Sequence, residues 1–218
     1  MPLFALPGPA KPLAPMIRTM VFLPQPPIIV GDTAGAAVHE LDDLRSHCCA
    51  AIAAAVGEGS DLALMGSAPG IGVGRWLVSL ACGQVPLSEV VVAPDTSPQR
   101  CQELGSQLAE QALTATALLV MGDGSACRSE RAPGYLDSRA IEFDQRVAAA
   151  LAAADTAALA ELSPQLAAEL LVAGRAPWQV AAAAAAATRT ERGWSGELLT
   201  SQDPYGVSYF VALWKTRP

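Results

Sequence analysis

The sequence predicts an α/β protein, a single domain with a mostly parallel or mixed central sheet flanked by helices. Three observations carry this. Short apolar runs alternate with amphipathic helical stretches through the first half of the chain. Alanine-rich helical stretches run from Ser138 or Asp137 to Thr188, and the strand pattern then returns at Gly196–Thr200 and Val207–Trp214. Strands that alternate with helices build a parallel sheet, and a late strand pair adds an antiparallel edge. With 218 residues, 51% of them hydrophobic and 16% charged, the chain can bury one sizeable core.

Residues 1–19 read as a flexible leader, because Pro2, Pro7, Pro9, Pro12 and Pro15 prevent regular structure. Met1, Met16 and Met20 are alternative starts, and the domain runs over 20–218. Met20–Leu23 is the first strand, closed by Pro24-Gln25-Pro26-Pro27 and followed by Ile28–Val30. Asp32 or Thr33 caps a helix from Ala34 to Val56, with Val38, Leu41, Cys48, Ile52 and Val56 on its buried stripe, and Gly57 and Gly59 end it. Asp61–Met65 is a strand running into the glycine-rich loop Gly66–Gly74, and Arg75–Cys82 is a brief helix. Glu89–Ala93 reads as a strand buried on both faces by its continuous apolar run. Ser97-Pro98 starts a helix to Ala112, and Ala115–Met121 is the next strand. Ser138 or Asp137 starts a helix through Ala153 with Ile141, Phe143, Val147 and Leu151 inward. Asp155 or Thr156 and then Ser163-Pro164 start the next helices, with Leu166, Leu170 and Leu171 inward. Pro177–Thr188 is a helix whose alanine run suits close packing.

Composition excludes several classes. A net charge of −7 with 14 scattered basic residues is wrong for nucleic acid, which needs clustered Lys and Arg. No apolar run is long enough to span a bilayer; the longest, Val180–Ala187, is nearly all alanine. Cys48, Cys49, Cys82, Cys101 and Cys127 show neither C-x-x-C nor zinc spacing, and an odd, irregular set predicts reduced thiols in a cytoplasmic protein. His39, Asp43 and His47 step by four along one helix, but the outer two lie about 12 Å apart along its axis. They form a solvated stripe, and no metal site is predicted.

Polar chemistry concentrates in Gly122–Asp144, where a strand hands over to a loop, and ligands gather at strand carboxyl ends in α/β proteins. Asp123, Ser125, Arg128, Ser129, Glu130 and Arg131 either line a pocket or form a solvated loop held by its own turns, with Pro133-Gly134 as a tight turn; both readings stand. Cys127 sits beside Arg128 and Arg131, a setting that can lower a thiol pKa and make it the candidate nucleophile, though no histidine base is nearby in sequence. A rival reading uses the glycine loop: Gly66, Gly70 and Gly72 would admit a pyrophosphate, and Asp95 would hold the ribose of NAD(P) in an oxidoreductase. The Tyr-x-x-x-Lys of short-chain dehydrogenases is missing, since Tyr135 precedes Arg139, Tyr205 precedes Tyr209 and Tyr209 precedes Leu213.

Three segments taken together, LPQPPIIV, MGDGSACRSERAPGYLD with the downstream Phe143-Asp144, and PYGVSYFVALW, resemble the class III extradiol ring-cleavage dioxygenases. The likeness is to compact, actinobacterial-type members of the LigB-like superfamily, and it covers Met20 to Trp214. It implies that fold, and an Fe(II) centre of two histidines and one carboxylate with a further histidine as acid/base, opening catechol rings. Residue by residue, Gln25 stands where the first ligand's His-Pro-Pro would begin. The turn after the second strand, GSAPG, has no histidine, and Ser125-Ala126-Cys127 puts a thiol in place of the acid/base histidine. Glu197 and Asp203 are the late carboxylates, and Gly66–Gly74 is short for the family's pocket. The expectation is a dioxygenase-like protein without its iron, binding a small molecule or partner around Gln25, Asp123, Ser125, Cys127 and Arg128. A third class is a non-catalytic homodimer joined through the alanine-rich helices and the aromatic C-terminal strand.

Overall fold

The computed structural model describes residues 17–31, 39–56 and 60–217. The leader up to Met16, the cap at Asp32 or Thr33, Val38, and the stop at Gly57 and Gly59 lie outside the described residues. The strands are β1 (Ile17–Leu23), β2 (Asp61–Gly66), β3 (Leu87–Val91), β4 (Thr116–Met121), β5 (Trp194–Gln202) and β6 (Tyr209–Thr216). The helices are α1 (Asp42–Val56), α2 (Ala68–Cys82), α3 (Pro98–Gln111), α4 (Arg139–Ala153), α5 (Thr156–Ala160), α6 (Pro164–Glu169) and α7 (Arg175–Ala187). One mixed sheet has the order β3-β2-β4-β1-β6-β5, parallel from β3 to β1 and antiparallel across β1, β6 and β5. The expected α/β domain is therefore present.

Alternation along the strands divides the core. Val21, Leu23, Leu64, Leu119, Met121 and Val211 face α1 and α2. Met20, Phe22, Met65, Leu118, Val120, Phe210 and Trp214 face the opposite layer, which includes α3, α4 and α7. The sheet is thus covered on both faces, as parallel strands require. At the centre Trp214 stacks tilted on Phe22, ring centroids 4.7 Å apart, and donates its indole N–H to Leu151 O at 2.7 Å.

Several boundaries differ from the sequence reading. Strand β1 starts at Ile17, so Ile17–Thr19 belong to the sheet and not to the leader. Past β1, Pro27–Ile29 closes a 3-10 turn. Strand β3 is an edge strand, with Val91 62% exposed. An apolar run records no count of neighbours, and among the described residues β3 pairs with β2 alone. Arg75 instead crosses to Glu89 on that edge, Nε to Oε1 at 2.5 Å. Ile141 is exposed because the inner stripe of α4 follows Ala140, Phe143, Val147 and Leu151. Leu171 is exposed because α6 ends before it and its backbone turns to φ 54°.

The alanine run does pack closely. Ala181, Ala182, Ala184 and Ala185 are buried, and Gly105 of α3 lies against α7 so tightly that a Cβ would sit 2.4 Å from Val180 O and 2.5 Å from Ala183 Cβ. Gly105→Ala should therefore destabilise the protein by about 2 kcal/mol, overpacking outweighing the better helix propensity of alanine. Urea unfolding at neutral pH checks this; a stabilised variant would mean that the helices can separate freely.

Candidate functional site

Strands β1, β2 and β4 end side by side, and their polar residues meet there. The β1 and β2 exits lead to α1 and α2 on one face, whereas β4 leads to the other layer, which makes their carboxyl ends a topological switch point. Gln25, just past β1, donates its backbone N–H to Asp123 Oδ1 at 2.8 Å. Its side-chain Oε1 accepts from Ser67 Oγ at 3.1 Å, and Ser67 Oγ accepts from the Gly70 N–H at 3.1 Å. Gln25 and Ser67 are buried and Asp123 is half-buried. Loss of hydration pushes the Asp123 carboxyl up to about 7, against the opposing pull of the Gln25 N–H. Among the described residues, Gln25 Nε2 and Asp123 Oδ2 make no hydrogen bond.

Sequence reasoning names Gln25 and Asp123 among the candidates for one pocket but misses Ser67. The signal is present: serine two residues before Pro69 is the pattern of an N-cap with proline in the first turn. That pattern also places the helix. The supposed glycine loop is the first two turns of α2, which starts at Ala68 and not at Arg75. Its glycines make room for packing. A Cβ on Gly70 would fall 2.0 Å from Gln25 Oε1, on Gly74 2.5 Å from Leu64 Cδ1, and on Gly66 2.6 Å from Met121 Cβ, while Gly72 faces open space. Pyrophosphate needs free N–H groups at a helix start. Pro69 offers none and that of Gly70 is held by Ser67, so the residues do not fit a dinucleotide. Asp95 lies beyond β3, exposed, beside Pro94.

The other predicted residues belong to a second cluster. Asp144 is 4% exposed and accepts from the Ser125 N–H at 2.9 Å, Ser125 Oγ at 2.5 Å and Ser208 Oγ at 2.6 Å. Arg128 donates to Asp203 Oδ2 at 3.0 Å and approaches Asp144 at 3.6 Å. A cavity of about 130 Å³ lies between Arg128, Asp144, Gln202 and Ser208. The loop is fastened by its own turns, Ala132 N–H to Ser129 O and Gly134 N–H to Ala126 O, with Glu130 and Arg131 outside. Cys127 is buried within this loop, 3.6 Å from Gly134 O. Burial, then Asp137 and Asp144, push its thiol up, and Arg139 opposes them only in part. The arginines at 128 and 131 do not activate it, because Arg128 turns to carboxylates and Arg131 to solvent. These contacts weigh toward an ordinary buried thiol at Cys127 and against a nucleophile.

The donor set does not suit Fe(II). Gln25 brings a neutral amide whose oxygen is already engaged, and Ser67 a hydroxyl committed to a helix cap. Glu197 is exposed on the edge strand β5, and Asp203 pairs with Arg128. His47 lies on the α1 surface beside Asp43, whereas His39 precedes α1 in a 3-10 turn beside Asp42, so the expected stripe does not run along one helix. Among the described residues no group of three His, Cys, Asp or Glu side chains is placed to hold a metal. All five cysteines are free, and no described helix is long and apolar enough to cross a membrane. No protein-family model matches the chain, and no curated protein matches it.

Proposed function

We propose that this is a dioxygenase-like α/β protein of the LigB type that has no iron centre and binds a small hydroxylated molecule where β1, β2 and β4 end. The observation that carries the reading is Gln25. In the slot where the family would hold a metal-binding imidazole, its side-chain oxygen accepts from Ser67 while its backbone N–H donates to Asp123. What remains available is one amide donor and one carboxyl that changes state near neutrality. Such a pair can give and take hydrogen bonds with a phenol or alcohol, and Asp123 can accept its proton. The free thiols and the acidic surface favour a reducing, cytoplasmic setting.

The test is metal analysis of the purified protein, followed by anaerobic addition of ferrous iron and assay of catechols for ring opening. No stoichiometric iron and no ring opening are expected. Catechol should still quench tryptophan fluorescence saturably, and Asp123→Ala should weaken that binding at least tenfold. Stoichiometric iron with turnover would overturn the reading.

A further inference from the structure

A separate cleft of about 560 Å³ opens between α6, the start of α7 and the segment joining β3 to α3. Its walls are largely apolar, with Pro94, Pro164, Ala167, Leu171 and Val172 among them. The exception at its base is Arg175, a cation only 3% exposed. Its guanidinium donates to Thr96 O at 2.6 Å, Pro94 O at 2.5 Å and Gln179 Oε1 at 3.0 Å, all neutral acceptors. Among the described residues it makes no ion pair. Its Nε–H is buried without an acceptor. Gln179 is itself held by donating to Ala160 O and Leu162 O, so it cannot turn to serve Nε.

A buried charge without a counter-ion is costly, and a neutral donor would tether Pro94 and Thr96 as well. The positive charge is what those contacts leave unexplained. The same place receives the start of α7, whose first residue is Arg175 and whose N-cap, Gly174, supplies no side-chain cap. The dipole of α7 therefore adds to the positive potential. Asp95, exposed at the rim, adds a carboxylate that disfavours a second negative charge on anything entering.

We propose that this cleft binds a small apolar monocarboxylate, its hydrocarbon body against Pro164, Leu171 and Val172 and its carboxylate drawn to Arg175 and the start of α7. The volume lies within the range of ligand sites, and an apolar pocket with a few placed polar groups is their usual composition. The inference stands independently of the iron-free reading.

Calorimetric titration of the full chain with octanoate and benzoate tests it. Saturable 1:1 binding is expected, at least tenfold tighter than for octanol, benzyl alcohol, succinate or inorganic phosphate. Arg175→Gln should abolish it. Because that change also removes a tether, Ala168→Trp provides a second arm: Ala168 is exposed on the cleft wall, so an indole there should block the cleft and leave the fold intact by circular dichroism. Equal affinity for acid and alcohol, undiminished binding in a folded Ala168→Trp protein, or no saturation at millimolar octanoate would each overturn the proposal.

Discussion

Replacing Asp123 by asparagine should stabilise the protein at pH 8 by roughly 2 to 4 kcal/mol. Burial raises this carboxyl from 3.8 to about 7, so between those values the folded state binds a proton that the unfolded chain has released. Stability falls with rising pH wherever the native state holds more protons. Asp123 therefore contributes its full share below about pH 4, loses it progressively up to about 7, and costs a constant amount above. Asparagine stays neutral throughout and keeps an oxygen for the Gln25 N–H. Its half-burial lets solvent screen part of the charge, which is why the range extends below the full value of the shift. Urea midpoints at pH 5 to 8 should show the gap between variant and parent widening by about 2 kcal/mol. Parallel curves would mean that Asp123 is hydrated like a surface carboxylate.

That cost bears on function. A carboxylate that weakens the fold when ionised would be replaced readily if it only filled space. Its position at the meeting of three strand ends, bonded to the Gln25 N–H, is what the proposed binding of a hydroxylated molecule would use.

The layers are legible in the sequence because burial leaves a period. The strands Met20–Leu23, Asp61–Met65 and Ala115–Met121 and the stripes of α1 and α4 follow from it. Interruptions by proline and glycine mislead where their role is packing. The glycines of 66–74 suggest a loop, yet Gly66 ends β2 and Gly70, Gly72 and Gly74 sit in a helix that presses on Gln25, Leu64 and Met121. Edge and centre strands look alike in a short apolar run, so β3 reads as buried although it lies at the margin of the sheet. In the site, Gln25 and Asp123 are within reach of sequence reasoning because both follow strands. The Asp144 hub leaves a clue: an aspartate beside Phe143 on the inner stripe of α4 must have donors waiting for it. Ser208, sixty-four residues away along the chain, cannot be identified as one of them without the fold.

Asp144 should be the most sensitive polar residue in the molecule. Asp144→Ala removes the acceptor for three donors at once, the N–H and Oγ of Ser125 and the Oγ of Ser208, in a place where neither serine reaches water. Truncating one member of a buried, charged network typically costs about 3 to 5 kcal/mol, a large part of a domain's total stability. Asp144→Asn separates charge from hydrogen bonding. It keeps an oxygen for the Ser125 N–H, and the serine hydroxyls can rotate to accept from the new amide, so a loss of about 1 to 2 kcal/mol is expected. Arg128 approaches Asp144 from the solvent side, and its main bonds go to the exposed Asp203. Asp203→Ala should accordingly cost under about 1 kcal/mol. Amide exchange offers a local check: in Asp144→Asn the amides of Gly124 to Asp137 should exchange faster, because this carboxylate ties their loop to α4 and to the start of β6. If Asp144→Ala and Asp203→Ala unfold at the same urea concentration, the buried hub carries no more of the fold than the surface pair does.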